Sequence, residues 1–310
     1  MISRVEGLSD EHKGVLYAVI AHLFWGAMAF YFGLIRYVNP LEIAANRAIW
    51  SIPIGLFMVW RLGLLDAVWR VLTNPKLMAI FCLTSFLVVF NWTLYIWCIT
   101  NGRTLDASLG YFINPLLNVA VGYIFLGERF TKPQMIAIAM AVVAVIVVTV
   151  GTGVFPVIGL SLGGTFCLYG LVRKTMPVGA VEGFTIEVIL TSIPLFFIEL
   201  YLWNHGQAYF GTSTYNTLML LGCGAFTAGA LLFYSTSLRL IRYSTVGILQ
   251  YLSPSIVFLT AVFVFGEHLD KWKLIAFSII WLACAIYSVS AILDERAKSA
   301  SLDVTAKAAA

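Results

Sequence analysis

The feature that most constrains this chain is a succession of long apolar runs, separated by short breaks rich in Gly, Pro, Asn or charge. The runs are Gly14 to Ile35, Pro40 to Trp60, Leu77 to Ile99, Leu105 to Leu126, Pro133 to Val150, Val157 to Val172, Val181 to Leu202, Thr217 to Leu238, Thr245 to Phe265 and Trp272 to Leu293. A bilayer core is crossed by about 20 apolar residues in helical form, with a lower limit near 17. The sixth run, at 16 residues, is the one marginal case. Composition agrees, with 61% hydrophobic and 11% charged residues, where soluble domains carry under half apolar and about a quarter charged residues. A soluble enzyme is excluded. In lipid, backbone polar groups must be bonded within the chain, so the expectation is an all-α integral membrane fold with ten transmembrane helices.

Little is left outside the runs. Residues 1–13 form a short N-terminal segment, too acidic and polar for a signal-peptide n-region, and the run behind it is too long for an h-region. The first helix is therefore expected to stay. Residues 294–310, rich in Ala, Ser and Lys, are expected to be a disordered tail. Asn39-Pro40-Leu41-Glu42 and Thr131-Lys132-Pro133-Gln134 read as capping boxes at helix starts. The five cysteines, Cys82, Cys98, Cys167, Cys223 and Cys284, lie inside apolar runs without CxxC spacing, which suggests neither a disulfide framework nor a zinc site.

Basic residues supply a direction. With both termini cytoplasmic, the inner segments collect 14 of the 19 Lys and Arg residues. The outer segments hold Arg36, Arg103, Lys271 and Lys273, and Arg47 lies within a span. That asymmetry is the positive-inside signal. It also accounts for the net charge of +4 without a nucleic-acid partner.

The chain repeats itself. Arg103, Asn114-Pro115, Gly127-Glu128 and Lys132 match Arg242, Ser253-Pro254, Gly266-Glu267 and Lys271 at a constant offset of 139, which also sets Tyr95 over Tyr234. Glu42, Arg47 and Ser51 fall against Glu182, Glu187 and Thr191, with Pro53 one residue displaced from Pro194, and Phe24-Trp25-Gly26 falls against Leu168-Tyr169-Gly170. Two units, 14–150 and 157–293, each hold five spans. Because five is odd, the second unit enters the bilayer from the opposite side, and the repeat is inverted. Such repeats are typical of secondary transporters, whose sites lie near the midplane between the halves.

Several runs also resemble a known family: Glu42-Ile-Ala-Ala-Asn-Arg-Ala-Ile-Trp50-Ser, Asn91-Trp-Thr-Leu-Tyr-Ile-Trp97, Asn101 through Asn114-Pro115, Tyr169-Gly-Leu-Val-Arg-Lys174, Leu249-Gln-Tyr-Leu-Ser-Pro254 and Phe265-Gly-Glu267. They are similar to the RarD branch of the EamA-type drug/metabolite transporter superfamily, over about Lys13 to Leu293. The resemblance implies an inner-membrane permease with both termini cytoplasmic, transport in the export direction and an association with chloramphenicol sensitivity. Asn46 stands where that family leads one to expect His.

Charges inside hydrocarbon cost about 3 kcal/mol at a helix centre on insertion scales, so each needs a reason. Arg47 and Glu187 are the two such residues, at equivalent places in the repeats. At about 1.5 Å per residue they lie roughly 10 and 9 Å in from opposite faces, which leaves on the order of 10 Å between them in a core of about 30 Å. A direct ion pair would need helix tilt or breaks. Both are read as lining a central cavity, with Arg47 the candidate for an anionic substrate group and Glu187 the first proton-coupling candidate. Two blander readings stand beside these: Arg47 snorkelling to the outer interface beside Glu42, and Glu187 as a protonated carboxyl bonded to a neighbouring helix.

The remaining acids read as structural. Glu42 is the third residue of a capping box, Asp106 a first-turn acid, Glu199 an interfacial residue, and Glu128 and Glu267 loop residues. In the fourth span, Ser108, Tyr111, Asn114, Pro115 and Asn118 form a polar stripe, mirrored in the ninth by Gly247, Gln250, Tyr251 and Pro254. Such a stripe faces either another helix or water. Pro115 and Pro254 are candidate bends. Trp25, Trp50, Asn91, Trp92, Tyr95 and Tyr169 add groups that could hold a planar substrate, with Trp25 and Trp92 deepest in their spans. His22 is the second proton-coupling candidate, weighed against a packing histidine. Gly159 with Gly163, and Gly222 with Gly224, read as close packing or a rocking surface.

The function expected is a secondary-active transporter of a small organic metabolite or drug. With no GxxxxGK[ST] loop, ATP hydrolysis is not expected of this chain, and no motif asks for a cofactor. The expected partners are the solute and membrane lipid, and a homodimer is left open. Rival readings are a passive channel or facilitator, and a membrane-embedded enzyme acting on lipid-linked substrates. The second would need clustered aspartates, which are scattered here.

Overall fold

A computed structural model describes residues 10–126, 131–241 and 249–308 of the chain. Among them are helices joined by short turns, with no strand: α1 Asp10–Leu34, α2 Pro40–Ile49, α3 Ile52–Arg61, α4 Leu65–Leu72, α5 Pro75–Thr100, α6 Thr104–Leu126, α7 Lys132–Thr152, α8 Val157–Thr175, α9 Ala180–Asn204, α10 Thr214–Leu240, α11 Leu252–Leu259 continued by a π turn over Thr260–Val264, and α12 Lys271–Ala308. Among the described residues, seven stretches are long and apolar enough to cross a membrane: His12–Leu34, Pro40–Arg61, Pro75–Thr100, Lys132–Thr152, Ala180–Asn204, Thr214–Tyr234 and Lys271–Ser290. Val157–Arg173 and Leu252–Val264 are shorter apolar helices.

Three elements depart from the sequence reading. The second run is two helices. Pro53 has no N–H to give the Ile49 carbonyl, and the chain breaks at Trp50 and Ser51. The Ser51 N–H donates to Ala48 O at 3.1 Å, while Ser51 Oγ donates to the freed Arg47 carbonyl at 2.7 Å. The break therefore leaves that carbonyl satisfied, as a low-dielectric interior demands. In the ninth run, the described helix begins at Leu252 and ends in a π turn, while Arg242, Thr245 and Gly247 lie outside the described residues. The tail expected to be disordered instead continues α12 to Ala308. Its Ala, Lys, Glu, Arg and Leu content favours helix, which explains the difference.

Helix starts follow local chemistry. Asn39 Oδ1 accepts from Leu41 N at 2.9 Å, and Asn74 Oδ1 from Lys76 N and Leu77 N. At Thr131 the expected box forms its reciprocal arm, Thr131 N donating to Gln134 Oε1 at 3.1 Å. Glu42 corrects its assignment. It is fully buried, and its Oε1 accepts from Tyr209 N at 2.6 Å and Phe210 N at 2.8 Å. The connection between α9 and α10 brings two backbone donors onto the start of α2, and they take the carboxylate that a capping box would have used.

Packing pairs α1 with α10 and α11, α8 with α5 and α6, α2 with α9, α6 with α11, and α7 with α12. The tightest approach is between α6 and α8. A Cβ on Gly110 would collide with the Gly159 carbonyl, and one on Gly163 would sit 2.9 Å from Gly110 O. Without side chains at these crossings, backbones meet directly, which is how helices associate where no hydrophobic drive separates them from lipid. The central core joins Phe32, Ile43, Tyr95, Ile96, Leu162, Leu220 and Val257 from six helices.

One end of the bundle is cross-tied. Glu267, expected to be a loop residue, accepts from Thr104 N at 2.7 Å and Leu105 N at 2.9 Å, so its carboxylate caps α6 from the far side of the bundle. Asp106 in the same first turn holds Arg103 Nε at 2.8 Å and Lys273 Nζ at 3.2 Å. Glu128 lies outside the described residues.

Candidate functional site

The break in the second run sets Arg47, at the end of α2, inside the bundle at 4% exposure. Its Nε donates to Thr227 Oγ1 on α10 at 2.9 Å, and Cζ lies 4.1 Å from the centroid of Trp92 on α5 and 6.0 Å from that of Phe32. The guanidinium is thus stacked and singly bonded. Among the described residues no carboxylate pairs with it.

A tract of rings and amides continues from that point. Phe32 meets Tyr95 at 6.3 Å between centroids, Tyr95 meets Tyr111 at 5.4 Å, Tyr111 meets Phe166 at 6.1 Å, and Phe166 meets Tyr169 at 5.8 Å. Tyr111 OH donates to Asn91 Oδ1 at 2.8 Å. Asn91 Nδ2 in turn donates to Leu162 O and Thr165 Oγ1, so its amide is locked across α5, α6 and α8. Tyr169 ends the tract by donating to Glu187 Oε2 at 3.0 Å.

Glu187, buried on α9, faces Arg173 with Nε to Oε1 at 3.7 Å, and the Arg173 guanidinium lies 5.4 Å from the Phe81 ring. Arg173 was assigned from sequence to the inner, topology-setting charges. It sits at the end of α8 and turns back into the bundle, a direction that only the packed helices reveal. Among the described residues, Glu187 has its ion pair with Arg173 and not with Arg47. Each has a threonine neighbour from the opposite half, Thr227 for Arg47 and Thr84 for Glu187. Arg173, Thr227, Thr84 and Phe166 were not singled out by sequence. Tyr169 one turn before Arg173 is the signal that could have found the first of them.

Other expected site residues form separate clusters. Ser253 Oγ donates its one hydrogen to His22 O at 3.0 Å, so at 3.2 Å it must accept from His22 Nδ1, which assigns the ring proton to Nδ1 when the ring is neutral. Trp25 lies 5.3 Å from His22 and 5.2 Å from Tyr234, between α1, α10 and α11. Trp50 stacks on Phe210 at 5.7 Å and donates to Asn46 Oδ1 at 3.0 Å. Tyr251 stacks on Phe112 beside Phe277, Ile280 and Cys284 of α12. The Gln250 carbonyl accepts from Ser253 N. Asn114 Nδ2 donates to Gly163 O at 3.0 Å, as an interhelical tie. Pro254 stands near the start of α11 rather than mid-helix, and its carbonyl accepts from Ser108 Oγ at 2.9 Å. Pro115 and Asn118 belong to α6, but their side chains lie outside the described residues.

Two segments of the chain, residues 12–150 and 153–289, each match the model of the EamA-like transporter family. The chain belongs to that family. Within it, Protein RarD of Salmonella typhi is 39% identical over 292 residues, covering 92% of this chain and 98% of that one. An uncharacterized transporter of Pseudomonas aeruginosa is 37% identical, over 90% of this chain and 94% of that one. A second Pseudomonas aeruginosa relative, called chloramphenicol-sensitive protein RarD, is 33% identical over 87% and 92%. A solved crystal structure shares the fold at a TM-score of 0.63 and 15% identity, over 91% of this chain and 99% of that one. This EamA-family chain is therefore a RarD-type multi-pass membrane transporter.

Proposed function

We propose that this transporter is a secondary-active carrier that moves a small organic molecule bearing an anionic group across the inner membrane by alternating access, in the export direction. Residues 14–150 and 157–293 are read as two inverted five-helix repeats, ten membrane-crossing helices in all, with both termini cytoplasmic. The helix partners support this reading, because they recur when the halves are exchanged: α1 packs on α10 and α11 as α8 packs on α5 and α6. Inverted repeats give outward-open and inward-open states of similar energy, so modest differential contacts can switch them.

The observation that carries the reading is Arg47, desolvated, stacked on Trp92 and without a carboxylate partner among the described residues. A planar guanidinium held this way is set up to take a carboxylate or similar anion bidentately, and the rings of Tyr95 and Tyr111 border the same space. Glu187 is the proposed proton-coupling residue, since protonating it would release Arg173 and loosen α8 from α9. One relative carries chloramphenicol sensitivity in its name, which makes chloramphenicol a first probe. Counterflow in proteoliposomes, screened over aromatic carboxylates, amino acids and chloramphenicol, should show saturable uptake stimulated by solute on the far side. Strictly linear flux without exchange would replace the carrier with a channel.

A further inference from the structure

The interface between α2 and α9 holds two acids that the Arg47 stack and the Arg173–Glu187 pair do not use. Ala45, Ala48 and Ile49 pack on Leu195 and Ile198, so one turn further along these helices Glu42 comes opposite Glu199. Asn46, one turn after Glu42, donates to Glu42 O at 3.0 Å, and Phe210, whose N–H donates to Glu42 Oε1, also walls the recess that Glu199 lines. Glu42 is fully buried. Its Oε1 is occupied by Tyr209 N and Phe210 N, whereas its Oε2 has no hydrogen-bond partner. Glu199 Oε2 is likewise buried and unpartnered.

Other charged and titratable groups of the packed elements are turned elsewhere. On α2, Arg47 faces Trp92 and Thr227. At the end of α9, His205 stacks on Tyr201 and Nδ1 bonds its carbonyl oxygen. Before α2, Tyr37 OH donates to Asn216 and Arg36 is exposed. From α10 and its approach, Tyr209 offers its backbone N–H and Cys223 contacts Met219 O. No ion pair among the described residues includes Glu42 or Glu199.

Two buried carboxyl oxygens at one helix interface, each without a hydrogen-bond partner, are both satisfied if a single hydrogen lies between them. Like-charged carboxylates at close range cannot both ionise cheaply. We infer that Glu42 and Glu199 form a proton-binding site in which one proton is shared between the two side chains. A recess of about 250 Å³ lies beside Glu199, walled by Phe196, Leu200, Trp203 and Phe210. Loss of the proton leaves two carboxylates across the α2–α9 interface and pushes those helices apart.

The site is tested on the full-length protein in nanodiscs without reference to transport, so its failure is separable from that of the carrier reading. Infrared spectra of the wild type should contain a protonated-carboxyl band that is absent from both E42Q and E199Q and retained in E187Q. Thermal stability supplies a second readout. The folded state holds a proton that a free glutamate, at about 4.3, has already released. Stability should therefore be full at low pH and fall as pH rises, and E199Q, whose amide replaces the shared hydrogen, should abolish that fall. If E42Q does not fold, E199Q alone decides. A band that survives in E199Q, or stability curves of E199Q and wild type that fall together, would overturn the proposal.

Discussion

The guanidinium of Arg173 occupies the volume that a side chain at Gly183 would need. A Cβ built on Gly183 overlaps both Nη atoms of Arg173, which donates from Nη2 to Gly179 O at 3.2 Å on its way to Glu187. The glycine thus leaves room for that guanidinium, one turn before Glu187.

Gly183→Ala should accordingly expel Arg173 and leave Glu187 buried without its cation. Overpacking costs about 1–3 kcal/mol, and breaking a buried pair about 3–5 kcal/mol. Because Arg173 can swing toward solvent, a loss near the lower end is expected, read as earlier thermal aggregation of the purified protein. Adding Glu187→Gln should restore most of the lost stability, since the uncompensated charge is then gone. A double variant no more stable than Gly183→Ala would show that the ion pair is not what the glycine protects.

Replacing Arg47 separates charge from stacking. Arg47→Ala should reduce transport by about 10- to 100-fold with normal membrane insertion, in line with about 1.5–3 kcal/mol for hydrogen bonds to a charged group. Arg47→Lys keeps the charge but loses the planar fork and should fall between. Trp92→Leu removes a cation–π contact of about 1–2 kcal/mol, while Trp92→Phe retains part of it. The KM for an anionic substrate should rise in this order: Trp92→Phe, Trp92→Leu, Arg47→Ala. Wild-type kinetics in Arg47→Ala would remove the cavity assignment.

Much of this was legible before any coordinates, because lipid forbids unpaired backbone and so the apolar runs had to be helices. What escaped the sequence were directions across helices. The Asn39 to Glu42 spacing matches a capping box, but the nearer donors of residues 209 and 210 belong to a connection over 160 residues away. Tyr251 shares a stripe with Gln250 on paper, yet its ring turns to Phe112 and the α12 cluster. Pro53 was visible as a proline, and its effect, a break one turn beyond Arg47, depended on Ser51 being able to satisfy the freed carbonyl.

The tie between Glu267 and the start of α6 makes a further expectation. A carboxylate on two N-terminal N–H groups gains from the helix dipole as well as from hydrogen bonding. Glu267→Gln should destabilise by about 1 kcal/mol and make the amides of Thr104 and Leu105 exchange faster. Asp106→Asn, which loses Arg103 and Lys273 at partly exposed sites, should cost less and lose its effect in high salt. Unchanged exchange at Thr104 in Glu267→Gln would mean that the cap is not maintained in solution.

The relation of α7 to α12 bears on the inverted repeat. Thr131 Oγ1, at the start of α7, lies 2.9 Å from Ser290 Oγ, deep along α12, while Gly151 at the end of α7 is pressed on Trp272 at the start of α12. The two helices are therefore antiparallel, although Lys132 and Lys271, which begin them, are counterparts at the repeat offset of 139. Equivalent helices running in opposite directions are what inversion requires. Single cysteines introduced at Lys132 and Lys271, in a background lacking the five native cysteines, should react with a membrane-impermeant maleimide from opposite sides. Position 271 should label in intact cells, and position 132 only in inside-out vesicles. Labelling of both from one side would place the halves in parallel, and the pseudo-twofold axis that alternating access needs would be lost.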